Sequence, residues 1–374
     1  MNDTVEKDEL MMPEQVARHV RKMISSKTLK RGEPLPSYRE LASEMGVAVR
    51  TAMRGMDLLV EQGIVRRQKA RGCYVNRELS AQGRSLKTVG IIHTASYSFL
   101  LSQPYLRQIM QGIGDGQGHL DVQIFAMRKE GFVSAARLGD RQVDGVILLG
   151  VESDAFIEEF STWGVPGVLV DQVSEKLYMD CVACDNEAAG RDAVQHLVGL
   201  GHRHIRYVGH DARRITQVGR SRSLMLRSSD RLERRAATVS ALTAMAGVQW
   251  EEDILSDGHP MLIYDIVTDW QKATERPTVF LAEDEPLGRD LIREFTEHGV
   301  KVPEDVSVCV LAQPRISEAD GTLTGCGFDF VAMGRTAAEV LRKRCEEPAT
   351  AGEPGVHRIG CEWMEGSSTR EARA

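Results

Sequence analysis

From residue 88 onward the chain repeats one pattern, a short apolar run followed by a stretch with helical periodicity. The runs fall at 89–92, 122–125, 145–149, 167–170, 205–208, 279–282 and 306–311. Amphipathic segments at 105–114, 187–200, 231–245, 286–298 and 331–344 lie among them. Apolar strands that alternate with helices are buried on both faces, so the pattern predicts parallel sheets in an α/β body. The roughly 285 residues involved are long for one doubly wound sheet, which predicts two lobes with a cleft between them.

The first 76 residues follow a different grammar. Val16, Val20, Met23 and Ile24 recur at helical spacing and predict a first helix over 13–26. Gly32, Pro34 and Pro36 then break the chain. Ser37 with Glu40 three residues on has the form of a capping box, so a second helix begins there and ends at Gly46. Ala52, Met56 and Leu59 mark the buried side of a third helix, which closes at Gly63. Two short helices across a tight glycine turn make a helix-turn-helix. The segments 64–68 and 73–75, with a tip at 69–72, predict the hairpin of a wing.

Charge separates the two parts. Residues 15–77 hold fourteen Lys or Arg against five Asp or Glu, a local balance of +9, whereas the whole chain is −7; the remainder therefore carries −16. A basic unit on an acidic body suits a protein in which only that unit approaches a polyanion.

The stretch "LPSYRELASEMGV…GIVRRQKARGCYV" resembles the winged-helix domain of GntR-type bacterial transcription regulators. The resemblance implies a third helix in the major groove of duplex DNA and a wing reaching towards the minor groove. It places Ser37 and Arg39 at the start of the second helix, Thr51 on the recognition helix and Gly72 at the wing. The family usually has Ser-Arg at 48–49 and Arg at 53; here these are Ala48, Val49 and Met53. Arg50 and Arg54 stand instead, four apart and so on one helical face, as candidates for guanine O6/N7 contacts. Ala70 also replaces a usual wing glycine. Lys69 and Arg71, with Arg39, are placed for phosphates, which position a protein without reading sequence.

A second resemblance covers residues 88–370, on "DNEAAGRDAVQHLVGLGHRHIRYVG", "AEDEPLGRDLIREFTEHGVKVPEDVSVCVL" and "FDFVAMGRTAAEVL". These are similar to the effector domain of LacI-type repressors, itself similar to periplasmic sugar-binding proteins. The resemblance implies a ligand between the lobes, held by Asp171, Arg234, Asp284, Phe328 and Asp329, with His93 and Ser96 facing the same cleft. Carboxylate and guanidinium groups beside an aromatic face suit a sugar. It also implies a double-stranded operator as partner, a homodimer, and repression. An anionic or non-sugar metabolite, or activation, is the alternative reading.

The expected organisation is an N-terminal winged helix-turn-helix at 1–76, a polar linker at 77–86, and a two-lobed, periplasmic-binding-protein-like body with parallel sheets at 87–374. An Arg-rich insertion at 212–227 is expected to be a solvated loop or a lid over the cleft. Cys181-Val-Ala-Cys184 is the one C-x-x-C pair, and with seven scattered cysteines the expectation is reduced thiols, with no metal site and no cofactor. The polar, acidic start is unlike a secretory signal, so a cytoplasmic location is expected, with no membrane partner. Neither G-x-x-x-x-G-K-[ST], H-E-x-x-H nor G-x-S-x-G occurs, so no enzymatic activity is expected.

Overall fold

The structure is a computed structural model. It describes residues 12–25, 34–61, 65–68, 72–75, 85–93, 103–115, 120–126, 143–218, 222–256, 262–314, 323–348 and 350–372.

The head is three helices and a hairpin: α1 (Met12–Ser25), α2 (Tyr38–Met45), α3 (Val49–Glu61), β1 (Val65–Gln68) and β2 (Gly72–Val75). Ser37 caps α2 as its sequence requires. Its Oγ accepts the Glu40 amide at 3.3 Å while Glu40 accepts the Ser37 amide at 2.7 Å. Gly46 closes the helix in the left-handed region, φ 64°, a conformation that costs glycine nothing. Val16, Val20, Leu41, Ala52, Met56 and Leu59 are fully buried between the helices. The α1–α3 crossing is close because α3 presents Gly55 there. A Cβ at that position would meet Val16 Cβ at 2.6 Å and Pro13 O at 2.7 Å. Leu35 donates its amide to Cys73 O at 2.8 Å, laying the chain before α2 against the wing.

The body holds two six-stranded sheets. Lobe one contains β3 (Thr88–His93), α4 (Pro104–Gly114), β4 (Asp121–Ala126), β5 (Gly145–Leu149), α5 (Asp154–Ser161), β6 (Gly167–Val170) and β7 (Asp180–Cys184). The chain crosses through α6 (Asn186–Gly199) into lobe two. There it forms β8 (His204–His210), the hairpin β9 (Arg213–Val218) and β10 (Arg222–Arg227), α7 (Ser229–Ala244), β11 (Gln249–Leu255), α8 (Ile263–Lys272), β12 (Val279–Ala282), α9 (Glu285–Glu297), β13 (Ser307–Pro314) and β14 (Thr324–Phe328). It returns through α10 (Phe330–Glu346), adds β15 (Val356–Ile359) to lobe one, and crosses once more to place β16 (Cys361–Met364) in lobe two.

Strand order is β4-β3-β5-β6-β7-β15 in one sheet and β11-β8-β12-β13-β14-β16 in the other. All neighbours are parallel except β16 against β14. Both lobes are thus doubly wound sheets that reverse direction beside their first strand, which is where such sheets open a crevice at the carboxyl ends. Helices α4 and α10 pack backbone to backbone in lobe one. A Cβ on Gly112 would lie 2.0 Å from Val331 O, and one on Gly334 2.0 Å from Ile109 O.

Two expectations are corrected. The Arg-rich insertion is an antiparallel hairpin, Arg222 opposite Val218 through Arg227 opposite Arg213, not a loop. Leu86, counted with the polar linker, is a buried anchor of the body, 3% exposed, with its amide donating to Glu346 at 3.1 Å. Cys181 and Cys184 both lie on β7 and are buried in separate cores, because an odd spacing along a strand sends side chains to opposite faces. Among the described residues, no helix is long and apolar enough to cross a membrane.

Candidate functional site

A cavity of about 330 Å³ opens between the lobes at the carboxyl ends of both sheets. From lobe one it receives Glu152 after β5, Asp171 and Gln172 after β6, and Cys184 at the end of β7. From lobe two come His210 at the end of β8, Glu283 and Asp284 after β12, and Gln313 on β13. The first turns of α4, α7 and α9 point into it, bringing Tyr105, Asp230 and Arg231, and Leu287. Phe330, at the start of α10, closes one wall against Tyr105, the ring centroids 5.4 Å apart.

Arg234 organises the site. It sits in the second turn of α7 and is 4% exposed. Its Nε donates to Asn186 Oδ1 at 3.1 Å, Nη1 reaches Glu283 O at 3.4 Å, and Nη2 forms an ion pair with Asp230 one turn earlier. Burial alone would discharge the guanidinium, but Asp230 and Glu283 outweigh it and hold the proton firmly. Glu283 is balanced similarly. Burial opposes its charge, yet His210, Arg231 and Arg234 keep the carboxyl below its usual range. Arg231 Nε lies 2.9 Å from Glu283 Oε1, and the His210 amide donates to Oε2 at 2.6 Å.

Asp171 is the exception. Burial, then the neighbouring Asp230, push its carboxyl well above the ordinary range, with Arg234 and Arg231 opposing from a distance. It receives no hydrogen bond or ion pair from any described group. Among the described residues it is also the only non-glycine with positive φ, 64°. That conformation costs a β-carbon-bearing residue about 1–2 kcal/mol, and such strain concentrates where a ligand is held. Asp284 is pushed up by burial and by Glu283. Its Oδ1 caps α9 by accepting the Leu287 amide at 3.0 Å.

Two groups of donors have the spacing of a metal site: Asp171, Cys184 and Asp230, and His210, Glu283 and Asp284, each with ligand atoms within 4.8 Å of one another. In the first, Asp230 is occupied by Arg234 and burial pushes the Cys184 thiol well up. In the second, Glu283 is occupied by Arg231. A divalent ion would have to displace a guanidinium in either place, so neither set fits one.

The lobes also meet directly. Gln172 Oε1 accepts the Ser229 amide at 2.8 Å and its hydroxyl at 3.0 Å, while the Val173 amide donates to Ser229 Oγ at 2.6 Å. At the base of the hairpin, the Arg227 amide donates to Glu152 O at 2.9 Å, and its side chain lies 3.5 Å from Glu175.

Of the residues expected at the ligand, the cavity brings together Asp171, Arg234 and Asp284. Three others are placed elsewhere. His93 ends β3 buried, 5% exposed, with its ring against Gly150. Phe328 is fully buried in the core, 6.2 Å from Phe330, so Phe330 supplies the aromatic wall instead. Asp329 caps α10, its Oδ1 accepting the Ala332 amide at 2.7 Å. Ser96 lies outside the described residues. The reading missed Gln172, Arg231, Glu283 and Gln313; the i,i+4 pair Asp230–Arg234 was the available signal for a helix start bearing cavity residues.

On the head, Arg39, Arg50 and Arg54 are exposed, Ser37 is an exposed cap, Thr51 is half-buried, and Gly72 begins β2 with φ 95°. Val49 and Met53, 43% and 42% exposed, share the surface of α3 with the two arginines. Lys69 and Arg71 lie outside the described residues. The wing is tied to α3 through an Arg67–Asp57 ion pair, and Arg67 Nε donates to Tyr38 Oη at 3.3 Å.

Comparison with known proteins accords with both halves. Residues 13–75 match the gntR family of bacterial regulatory proteins, and residues 194–369 match a periplasmic binding protein-like domain. The chain is 28% identical over 280 residues to the HTH-type transcriptional regulator CelR of Thermobifida fusca, covering 70% of this chain and 75% of that one. It is 21% identical over 348 residues to the arabinose metabolism transcriptional repressor of Geobacillus stearothermophilus, covering 89% and 91%. Among solved structures it resembles a LacI family regulator from Enterococcus faecium with bound ribose (TM-score 0.61, 22% identity, 77% of this chain and all of that one). It also resembles a CelR–cellobiose complex (TM-score 0.60, 20% identity, 89% and all).

Proposed function

We propose that the chain is a transcription regulator that joins a gntR-like head to a periplasmic-binding-protein-like body, and that a sugar bound between the lobes controls its grip on an operator. The observation that carries this reading is the cavity itself. It combines buried guanidinium and carboxylate groups with an aromatic wall of Tyr105 and Phe330, the mixture that hydrogen-bonds vicinal hydroxyls and stacks a ring. Solved structures of similar fold hold ribose and cellobiose, which supports a saccharide over other small molecules.

On DNA, α3 lies in the major groove with Arg50 and Arg54 towards guanines. Val49 and Met53 beside them suit thymine methyl groups, so this head reads bases partly by apolar contact where its relatives use a guanidinium. Arg39, Lys69 and Arg71 hold phosphates, and Ser37, Thr51 and Gly72 set the approach of α2, α3 and the wing. Residues 1–76 act as the DNA-binding unit and 87–374 as the sensing unit. A homodimer of bodies presents two heads to a two-fold operator in the cytoplasm, and the regulator represses.

Coupling runs through the lobes. Asp171 and Gln172 belong to lobe one, whereas Ser229, Arg231 and Arg234 belong to the α7 side. A ligand that touches both sides stabilises the clasp between Gln172 and Ser229, and a body held closed presents its heads at a different spacing. The test is selection of duplexes from a random library by the full chain, repeated with Arg50→Ala/Arg54→Ala. Enrichment of a two-fold sequence that the double variant fails to enrich supports the reading; no sequence preference in the wild-type chain overturns it.

A further inference from the structure

The charge balance of the cavity goes further than a neutral sugar. Seven carboxylates line it against two arginines. Glu283 is matched by Arg231, and Asp230 by Arg234. Glu285 and Asp290 turn to Arg289 and Arg293 on the surface of α9. Asp284 is spent on capping that helix. Of the remaining two, Glu152 adds its negative charge to the surroundings of Asp171. Asp171 itself faces the cavity with nothing among the described residues donating to it, held there by a strained backbone, and close enough to Asp230 that two like charges share the site. An anionic ligand would add to that repulsion.

A second group in the cavity also lacks a donor. Gln313, 1% exposed, lines the cavity from the opposite sheet. Its Nε2 donates to Leu323 O at 2.8 Å, but its Oε1 has no partner among the described residues. A buried acceptor without a donor is costly, so this oxygen too calls for a donor from a ligand. Metal ions do not fit, because each donor set would have to surrender an arginine. A protonated amine asks less, since it needs one free carboxylate and leaves both ion pairs intact.

We infer that the effector is an amino sugar, a hydroxyl-rich ring whose ammonium group binds Asp171, with Gln313 Oε1 taking a further donor and Tyr105 and Phe330 covering the ring. The inference rests on the sugar-binding reading above and specifies its charge. The hydroxyls fall to Arg231 and Arg234, which donate, and to the carboxylates they orient. Asp171 selects the amine over the hydroxyl at the same carbon, because a charge-assisted hydrogen bond is about twice as strong as a neutral one.

The test is calorimetric titration and thermal shift of the full chain at pH 7 with glucosamine, galactosamine and mannosamine, their neutral parents, and the N-acetylated forms. Magnesium, calcium and zinc chlorides are run alone. At least one free amino sugar is expected to bind about tenfold or more tightly than its parent and its N-acetyl derivative. In Asp171→Asn, which keeps the side-chain shape and tolerates left-handed φ, that preference should shrink to within about threefold. A neutral or N-acetylated sugar bound as tightly as any amine overturns the amine assignment while leaving the sugar reading intact. A metal chloride that stabilises the chain on its own overturns it as well. No response to any saccharide, charged or neutral, overturns the sugar reading beneath it.

Discussion

Replacing Arg234 with methionine tests how the cavity is held together. The guanidinium is 4% exposed and contacts Asp230, Asn186 and the Glu283 carbonyl. Methionine fills much the same volume without charge, so the loss is electrostatic rather than a cavity. Removing one partner of a buried ion pair typically costs about 3–5 kcal/mol, because the other charge stays buried. Asp230 is not left bare, since Asn186 Nδ2 still donates to it at 2.8 Å, so the lower end, about 3 kcal/mol, applies. In a body of this size each kcal/mol is worth about 2 °C, which gives a fall of about 6 °C in a calorimetric melt of the full chain. Asp230→Asn added to Arg234→Met should recover at least half of that fall, because the stranded charge is then gone. A single variant that melts within about 1 °C of wild type, or a double variant no better than the single, would refute the reasoning.

Gly55→Ala drives a methyl group to 2.6 Å from Val16 and 2.7 Å from the Pro13 carbonyl. Overpacking of about 1–3 kcal/mol should exceed the roughly 1 kcal/mol gained in helix propensity. Limited proteolysis should therefore cleave the variant head faster, whereas Gly114→Ala, at the end of α4 with nothing within 4 Å, should melt no lower than wild type. Asp180 ties β7 to α10 and β15; burial alone would raise its carboxyl, but Arg344, Gly355 and His357 hold it below the usual value. A depressed carboxyl contributes stability that is complete above its unfolded pKa of about 3.9 and fades as pH falls through the folded value. Asp180→Asn should accordingly lower the melting temperature at pH 7, and its difference from wild type should shrink as pH falls below the ordinary carboxylate range. Arg50→Ala and Arg54→Ala should each remove about 1–3 kcal/mol of base discrimination, seen as lost selectivity against competitor DNA; equal weakening on every sequence would assign them to phosphates.

The sequence made some of this legible and hid the rest for physical reasons. All seven apolar runs are strands; those inside the sheets, such as β5, β6 and β12, are buried on both faces and so apolar, while β4 at an edge and β8 also carry Gln123 and Arg206. β11 escaped notice because QWEEDIL lies at a sheet edge and carries solvent-facing charge. β14, TGCGF, escaped because its two glycines read as a turn; a Cβ at Gly325 would stand 2.0 Å from Val310 O. The insertion read as a loop on its arginines, yet their number says nothing about backbone pairing, which makes it a hairpin. At the site, strand ends such as Asp171 and Asp284 were visible from the runs before them. The choice between Phe328 and Phe330 was not, since it depends on which way the last residue of β14 faces.

The central claim is that the cavity between the lobes and the winged helix are coupled. Fluorescence anisotropy measures it directly, using the full chain, a labelled duplex selected by that chain, and the saccharide that most raises its melting temperature. A coupling of about 1–3 kcal/mol should change the duplex Kd by about 5- to 150-fold at saturating saccharide. Superimposable titrations with and without the bound saccharide would contradict the account.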